Sequence, residues 1–141
     1  MEDNNLDGED KRLHLQMIED VITRMGSNSF LIKGWSMTAL GGLITLYIAH
    51  MNEKWSNYLL VFGMVMCLLF WMNDAYFLSL EREYRELYDK VARASNCDID
   101  FSMKITRDEC DFIRAMFSTS FKLSYLMIEI IFAIFLLLAI K

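Results

Sequence analysis

The chain has 141 residues, 55% of them apolar, a formal net charge of -5, three cysteines and no proline. An odd cysteine count without C-x-x-C spacing excludes a disulfide framework and a zinc site. The apolar excess coexists with an acidic start, so it is gathered into long runs, the composition of a membrane protein.

The first ten residues carry Glu2, Asp3, Asp7, Glu9 and Asp10. Residues 1–8 read as a disordered acidic tail. From Glu9, the i, i+4 series Leu13, Met17, Val21 and Met25, widened by Ile18 and Ile22, predicts an amphipathic cytoplasmic helix over 9–30. An acidic, amphipathic start differs from a cleavable signal sequence, so the apolar run that follows is expected to be retained. That run, within residues 31–50, is the first of three expected transmembrane helices. The second covers 57–79 and the third 122–140, each able to cross the roughly 30 Å hydrocarbon core. Small residues at Gly34, Thr38 and Gly42, flanked by Gly41 and Thr45, suit close helix packing in the first span.

Basic residues are held on the cytoplasmic side. Lys11, Arg12, Arg24 and Lys33 precede span one, and Lys54 alone lies between spans one and two. Arg82, Arg85, Lys90, Arg93, Lys104, Arg107, Arg114 and Lys122 separate spans two and three. The N-terminus and the second loop are expected inside, with the C-terminus outside. That topology places Trp35, Trp71, Tyr76 and Tyr125 near the inner interface and Tyr47, Trp55 and Tyr58 near the outer one, where amphipathic aromatics prefer to sit. Cys97 and Cys110 then face the reducing cytoplasm, while Cys67 lies in span two.

Without proline, helices can continue from membrane into cytoplasm. Phe77, Leu80, Tyr84, Leu87, Tyr88 and Val91 recur at three or four residues beside the opposite-charge series Glu81, Arg85, Asp89 and Arg93. Span two is therefore expected to extend to about Ala94 as a stalk, within a cytoplasmic stalk and connector covering 80–121. Strict alternation from Asp98 to Lys104 reads as a strand-like segment, either an extended connector on the bundle or a strand paired with another subunit. A third rod is expected to start at Thr106, capped by its hydroxyl and Glu109, and to feed through Phe112, Ile113, Met116 and Phe117 into span three. The fold class is all-α: three transmembrane helices extended into a cytoplasmic helical bundle.

No nucleophile motif, phosphate loop or metal spacing is present, and His14 and His50 fall on opposite sides of the membrane. The chain is expected to be no enzyme and to need no cofactor. Intramembrane polarity is the informative signal. Glu129 lies seven residues past Lys122, about 10 Å into the bilayer, where a carboxylate must face protein, a water-filled cavity or a cation. Lys33 is the obvious partner, and Asp74 competes for it. Arg107, Arg114, Ser118, Lys122, Tyr125 and Glu129 share one face of the third rod, which would line a vestibule or simply be a solvated face. Three spans seal little water alone, so conduction implies a homo-oligomer.

The series Asn28-Ser29-Phe30-Leu31-Ile32-Lys33-Gly34-Trp35, Phe70-Trp71-Met72-Asn73-Asp74-Ala75-Tyr76-Phe77 and Glu83-Tyr84-Arg85-Glu86-Leu87-Tyr88-Asp89-Lys90-Val91 resembles small bacterial membrane effectors encoded in anti-phage defence operons. It is most similar to the channel effectors of Hailong-type systems. In those, a neighbouring nucleotidyltransferase makes an oligodeoxyadenylate that keeps a tetrameric channel quiet until infection removes the signal. The resemblance implies a tetramer in which Lys33, Trp35, Trp71 and Asp74 couple the bilayer interface to the stalk, and the polar and small residues of the spans make Glu129, Lys33, Asp74, Thr38 and Tyr125 the candidates for pore or gate. The resemblance also implies an oligodeoxyadenylate site drawn from Arg82, Arg85, Arg93, Lys104, Arg107 and Arg114. Against such a site, residues 81–122 carry eight basic and nine acidic side chains. No positive field extends over the segment, and binding would need local clustering. The rival expectation is a non-conducting membrane adaptor that restrains a cytoplasmic defence partner.

Overall fold

A computed structural model describes residues 3–95, 100–105 and 109–140, with side chains described for 8–95, 100–105, 112–118 and 124–139. Its helices are α1 (Asp3–Ala49), α2 (Ser56–Arg93), α3 (Glu109–Met116) and α4 (Thr119–Ile140). At 1.5 Å per residue, the 47 residues of α1 extend about 70 Å and the 38 of α2 about 57 Å. Both far exceed a hydrocarbon core. The expected fusion of amphipathic helix and apolar run is therefore seen in α1, and that of apolar run and stalk in α2. Two helices, α1 and α2, are long and apolar enough to cross a membrane, and α4 carries a shorter apolar run over Ser124–Ala139.

α1 and α2 form an antiparallel pair closed by the turn through residues 50–55. Backbone bonds from His50 N to Tyr47 O (3.1 Å), Glu53 N to His50 O (2.9 Å) and Ser56 N to Glu53 O (3.0 Å) occupy groups that the helix ends would otherwise leave open. The His50 ring stands 5.2 Å from Trp55 and hydrogen-bonds Leu46 O through Nδ1 at 3.1 Å. α4 also packs on α2, and its Phe135 ring stands 5.6 Å from Tyr47 of α1. The shared core is Leu40, Tyr47, Leu60, Cys67, Tyr125 and Phe132. Gly63 of α2 lets the fully buried Phe132 ring sit against the helix backbone, and a Cβ at that position would overlap the ring. A second buried series, Ile18, Leu80 and Val91, closes the stalk.

Two features depart from the sequence reading, and one alternative that it left open is decided. α1 runs back to Asp3, inside the segment expected to be an acidic tail. Acidic residues at a helix start complement its dipole, which favours that extension. Residues 100–105 form neither helix nor strand, and the described residues contain no strand. Phe101 adopts a left-handed backbone (φ 52°) and lays its ring 5.4 Å from His14, so this part of the connector lies on the stalk. A bulky residue in that conformation breaks strand geometry. His14, only 1% exposed, is accordingly a packing residue. The expected cap at Thr106 lies outside the described residues.

The larger departure is that the expected rod is broken at Phe117–Ser118 between α3 and α4. The Trp71 indole donates to Met116 O at 3.1 Å, occupying the carbonyl that a continuing helix would need. Ser118 N turns back to Ala115 O at 3.0 Å, a tighter bond than the helical pattern. Were α3 and α4 one straight rod antiparallel to α2, Phe112 would lie about 20 Å from the level of Tyr125, toward the stalk end. Instead it lines a groove with Leu69, Met72, Asn73 and Tyr76, and α3 rests beside the same turns of α2 that receive the start of α4. Trp71→Phe is expected to cost about 1 kcal/mol through the lost indole bond. It should raise amide hydrogen exchange at 116–120, read by mass spectrometry; unchanged exchange there would exclude Trp71 as the cause of the break.

Candidate functional site

Where α1, α2 and α4 meet, four polar side chains converge in an apolar surround. Asp74 of α2 is completely buried. It accepts from Ser29 Oγ at one oxygen and from Tyr125 OH at the other, 3.1 Å away. Lys33 Nζ lies 3.5 Å from the second oxygen and donates to Ser29 Oγ at 3.3 Å. Each helix supplies its part for a local reason. Ser29 and Lys33 are one turn apart on α1 and so share a face. Asp74 is presented by the buried stripe of α2 that runs through Cys67, Asp74, Ala75 and Leu80. Tyr125 reaches it from α4, with its ring stacked on Trp71 at 6.5 Å and an 11° interplanar angle. Ser36, also buried, donates to Lys33 O at 2.8 Å and fixes the next turn of α1.

A buried carboxylate is tolerated when its lone pairs are satisfied and a cation stands near. Asp74 of α2 meets that requirement through groups from α1 and α4, so the cluster ties the three helices into one junction. This arrangement settles the competition for Lys33 in favour of Asp74. Glu129 lies one turn beyond Tyr125 on α4, half-buried, beside the Cys67 thiol. The thiol itself points at Tyr125 O across 3.8 Å. The Oε1 atom of Glu129 is shielded and has no hydrogen-bond partner among the described residues. Sequence reasoning identified Lys33, Asp74, Tyr125 and Glu129 individually. It missed Ser29, whose place one turn before Lys33 was the available signal.

Thr38 lies apart from this cluster. It is on the exposed side of α1, with its hydroxyl turned back to Gly34 O at 3.0 Å. Gly34, Gly41 and Gly42 have open space where a Cβ would stand, so the small-residue face of α1 packs against nothing among the described residues. Trp35 is likewise 68% exposed.

The basic residues expected to hold an anion are dispersed. Arg85 is engaged by Glu81 at 2.7 Å. Arg93 lines a shallow groove with Glu86, Asp89 and Lys90, two acids beside two bases. Arg82 is half-buried on the same helix, and Lys104 is exposed on the connector. Arg114 is on α3, beside the Leu69–Tyr76 turns of α2, some 20 residues and about 30 Å from Arg93 along that helix. Arg107 lies outside the described residues. One protomer therefore does not gather these cations into a single anion site.

No group of three or more His, Cys, Asp or Glu among the described residues has metal-binding geometry. No family model, curated protein or solved structure matches the chain.

Proposed function

We propose that the chain is an oligomeric ion channel or membrane-permeabilising effector of an anti-phage system in the bacterial inner membrane, gated from the cytoplasm by a nucleotide-type signal such as an oligodeoxyadenylate. In this reading α1, α2 and α4 all cross the bilayer, with the N-terminus inside and the C-terminus outside. The protomers assemble as a homotetramer, the number implied by the resemblance described above. Glu129 carries the proposal. A carboxylate on an apolar helix, with one oxygen shielded and without a hydrogen-bond partner among the described residues, is costly unless it meets water, a cation or another subunit, and intramembrane acids of this kind mark ion pathways.

The signal would act on the stalks. Ligand binding between neighbouring stalks would favour one of two packings, and the continuous helices α1 and α2 would carry that difference to the Asp74 junction. Because the cations are spread along one protomer, an anionic ligand would have to bridge protomers around the symmetry axis. Opening would depolarise the cell and halt phage production.

Glu129→Gln and Glu129→Leu test the conduction path. Both variants should insert and assemble, and both should change ion flux or the cation-to-anion permeability ratio in liposomes, with Glu129→Leu the more severe. Wild-type flux and selectivity in both variants would remove Glu129 from the path.

The dispersal of the basic residues favours a second reading. The stalk, in which Glu81 pairs with Arg85 and Glu86 and Asp89 share a groove with Lys90 and Arg93, suits a mixed-charge protein surface better than a polyanion. The chain would then be a non-conducting adaptor anchoring or restraining a cytoplasmic defence partner, such as the nucleotidyltransferase itself. An adaptor tolerates Glu129→Gln without any change in membrane permeability.

A further inference from the structure

We infer that α3 is a lipid-binding arm: the groove it closes against α2, together with its exposed Ile113 and Phe117 edge, receives phospholipid acyl chains of the inner leaflet. The inference rests on the membrane reading above and adds to it a specific partner for one surface.

The first argument is position. Trp71 bonds to Met116 O and packs against Phe117 with ring centroids 6.4 Å apart, while Phe112 meets the Leu69–Tyr76 turns. α3 is thereby held at the level of the Asp74 junction, alongside the inner part of the apolar run of α2. The Trp71 bond that breaks the rod is also what puts α3 there.

The second is the chemistry of the surface. Ile113 and Phe117, four residues apart and so on one face, are 57% and 56% exposed, whereas Ala115 on the opposite side is completely buried. A helix that buries a small residue inward and turns two large apolar ones outward has its apolar face toward a second medium. The neighbouring part of α2 does the same, with Leu69 and Met72 half exposed. Together they make one apolar surface that no segment of the protomer covers among the described residues.

The third is the grading of the groove. It is an open groove of about 500 Å³, lined by Leu69, Met72, Asn73, Tyr76 and Phe112. Leu69 and Met72 lie toward the membrane centre, and Asn73 and Tyr76 toward the cytoplasmic end. An acyl chain leading to an ester and headgroup has the same order of polarity. An extended protein segment would need its backbone groups paired along the groove, whereas an acyl chain needs only apolar walls.

Photocrosslinking in the full chain tests the assignment. Benzoylphenylalanine is placed singly at positions 72, 113 and 117, at 68 on the exposed mid-span face of α2, and at 86 on the stalk. Each protein is reconstituted in phosphatidylethanolamine and phosphatidylglycerol liposomes, irradiated and weighed by intact mass spectrometry. Lipid adducts are expected at 72, 113 and 117 at yields comparable to position 68, with at least tenfold less at 86. Crosslinks from 113 and 117 to a second chain, or no adduct there while 68 labels with lipid, would overturn the assignment and leave the membrane reading standing. Absence of lipid adducts at 68 as well would overturn both.

Discussion

Replacing Asp74 by alanine is expected to destabilise the protein more than any other single change in the polar cluster, by about 3 kcal/mol. The variant strands Lys33 without its carboxylate and removes the acceptor of both Ser29 and Tyr125. Lys33 is one-third exposed, so solvent screens part of its attraction to Asp74 and the estimate sits at the lower end for a buried pair. Ser29→Ala and Tyr125→Phe each remove one charge-assisted bond and should cost about 1.5–3 kcal/mol. The informative comparison is Lys33→Met with Asp74→Leu, which removes both charges together and should be less destabilising than Asp74→Ala alone. Thermal unfolding in detergent, followed by loss of helical circular dichroism, reads all of these. An unchanged midpoint for Asp74→Ala would mean that the cluster does not hold the three helices together.

The second large effect concerns α2 and α4. Gly63→Ala should cost about 1–3 kcal/mol because the new methyl occupies the place of the Phe132 ring. Phe132 is completely buried, so the ring has no open space to swing into, and α4 must move or the ring must leave its rotamer. Gly63→Ile should go further and separate the two helices. A smaller partner tests the steric cause directly: Phe132→Leu introduced with Gly63→Ala should recover part of the loss, although Phe132→Leu alone is destabilising. Purely additive losses in the double variant would place the cost elsewhere, in the helix itself.

The two long helices were legible because their signals are local. Apolar periodicity, the i, i+4 charges at Glu81 and Arg85 and the absence of proline all lie within the segments they describe. Asp74 and Lys33 were legible for a related reason, since an ionisable residue in an apolar run demands a partner whatever the fold. Their assignment to each other, with Glu129 left out, depended on the register between helices, which no single segment contains. The break at Phe117–Ser118 was illegible for the same reason. Nothing between Ile113 and Phe121 disfavours a helix strongly, and the competing donor is the indole of Trp71, 45 residues away from Met116 in sequence. The alternation from Asp98 to Lys104 left two alternatives open because a short run of period two also describes an extended connector. Phe101 shows which won, its left-handed backbone turning the ring onto His14.

The junction also links the two proposals. Trp71 touches α3 through Met116 O and Phe117, and α4 through the Tyr125 ring, while Tyr125 holds Asp74. A change in how α3 seats in the inner leaflet would therefore reach the same cluster that stalk motion reaches. Glu129, one turn from Tyr125, would respond to either.

Ion flux from liposomes containing the purified wild-type protein, measured with and without short oligodeoxyadenylates, tests the central claim most directly. The account predicts that inserted, oligomeric protein conducts and that the oligonucleotide changes the flux at least several-fold. Liposomes that stay tight under both conditions, with insertion and assembly demonstrated in the same sample, would contradict it.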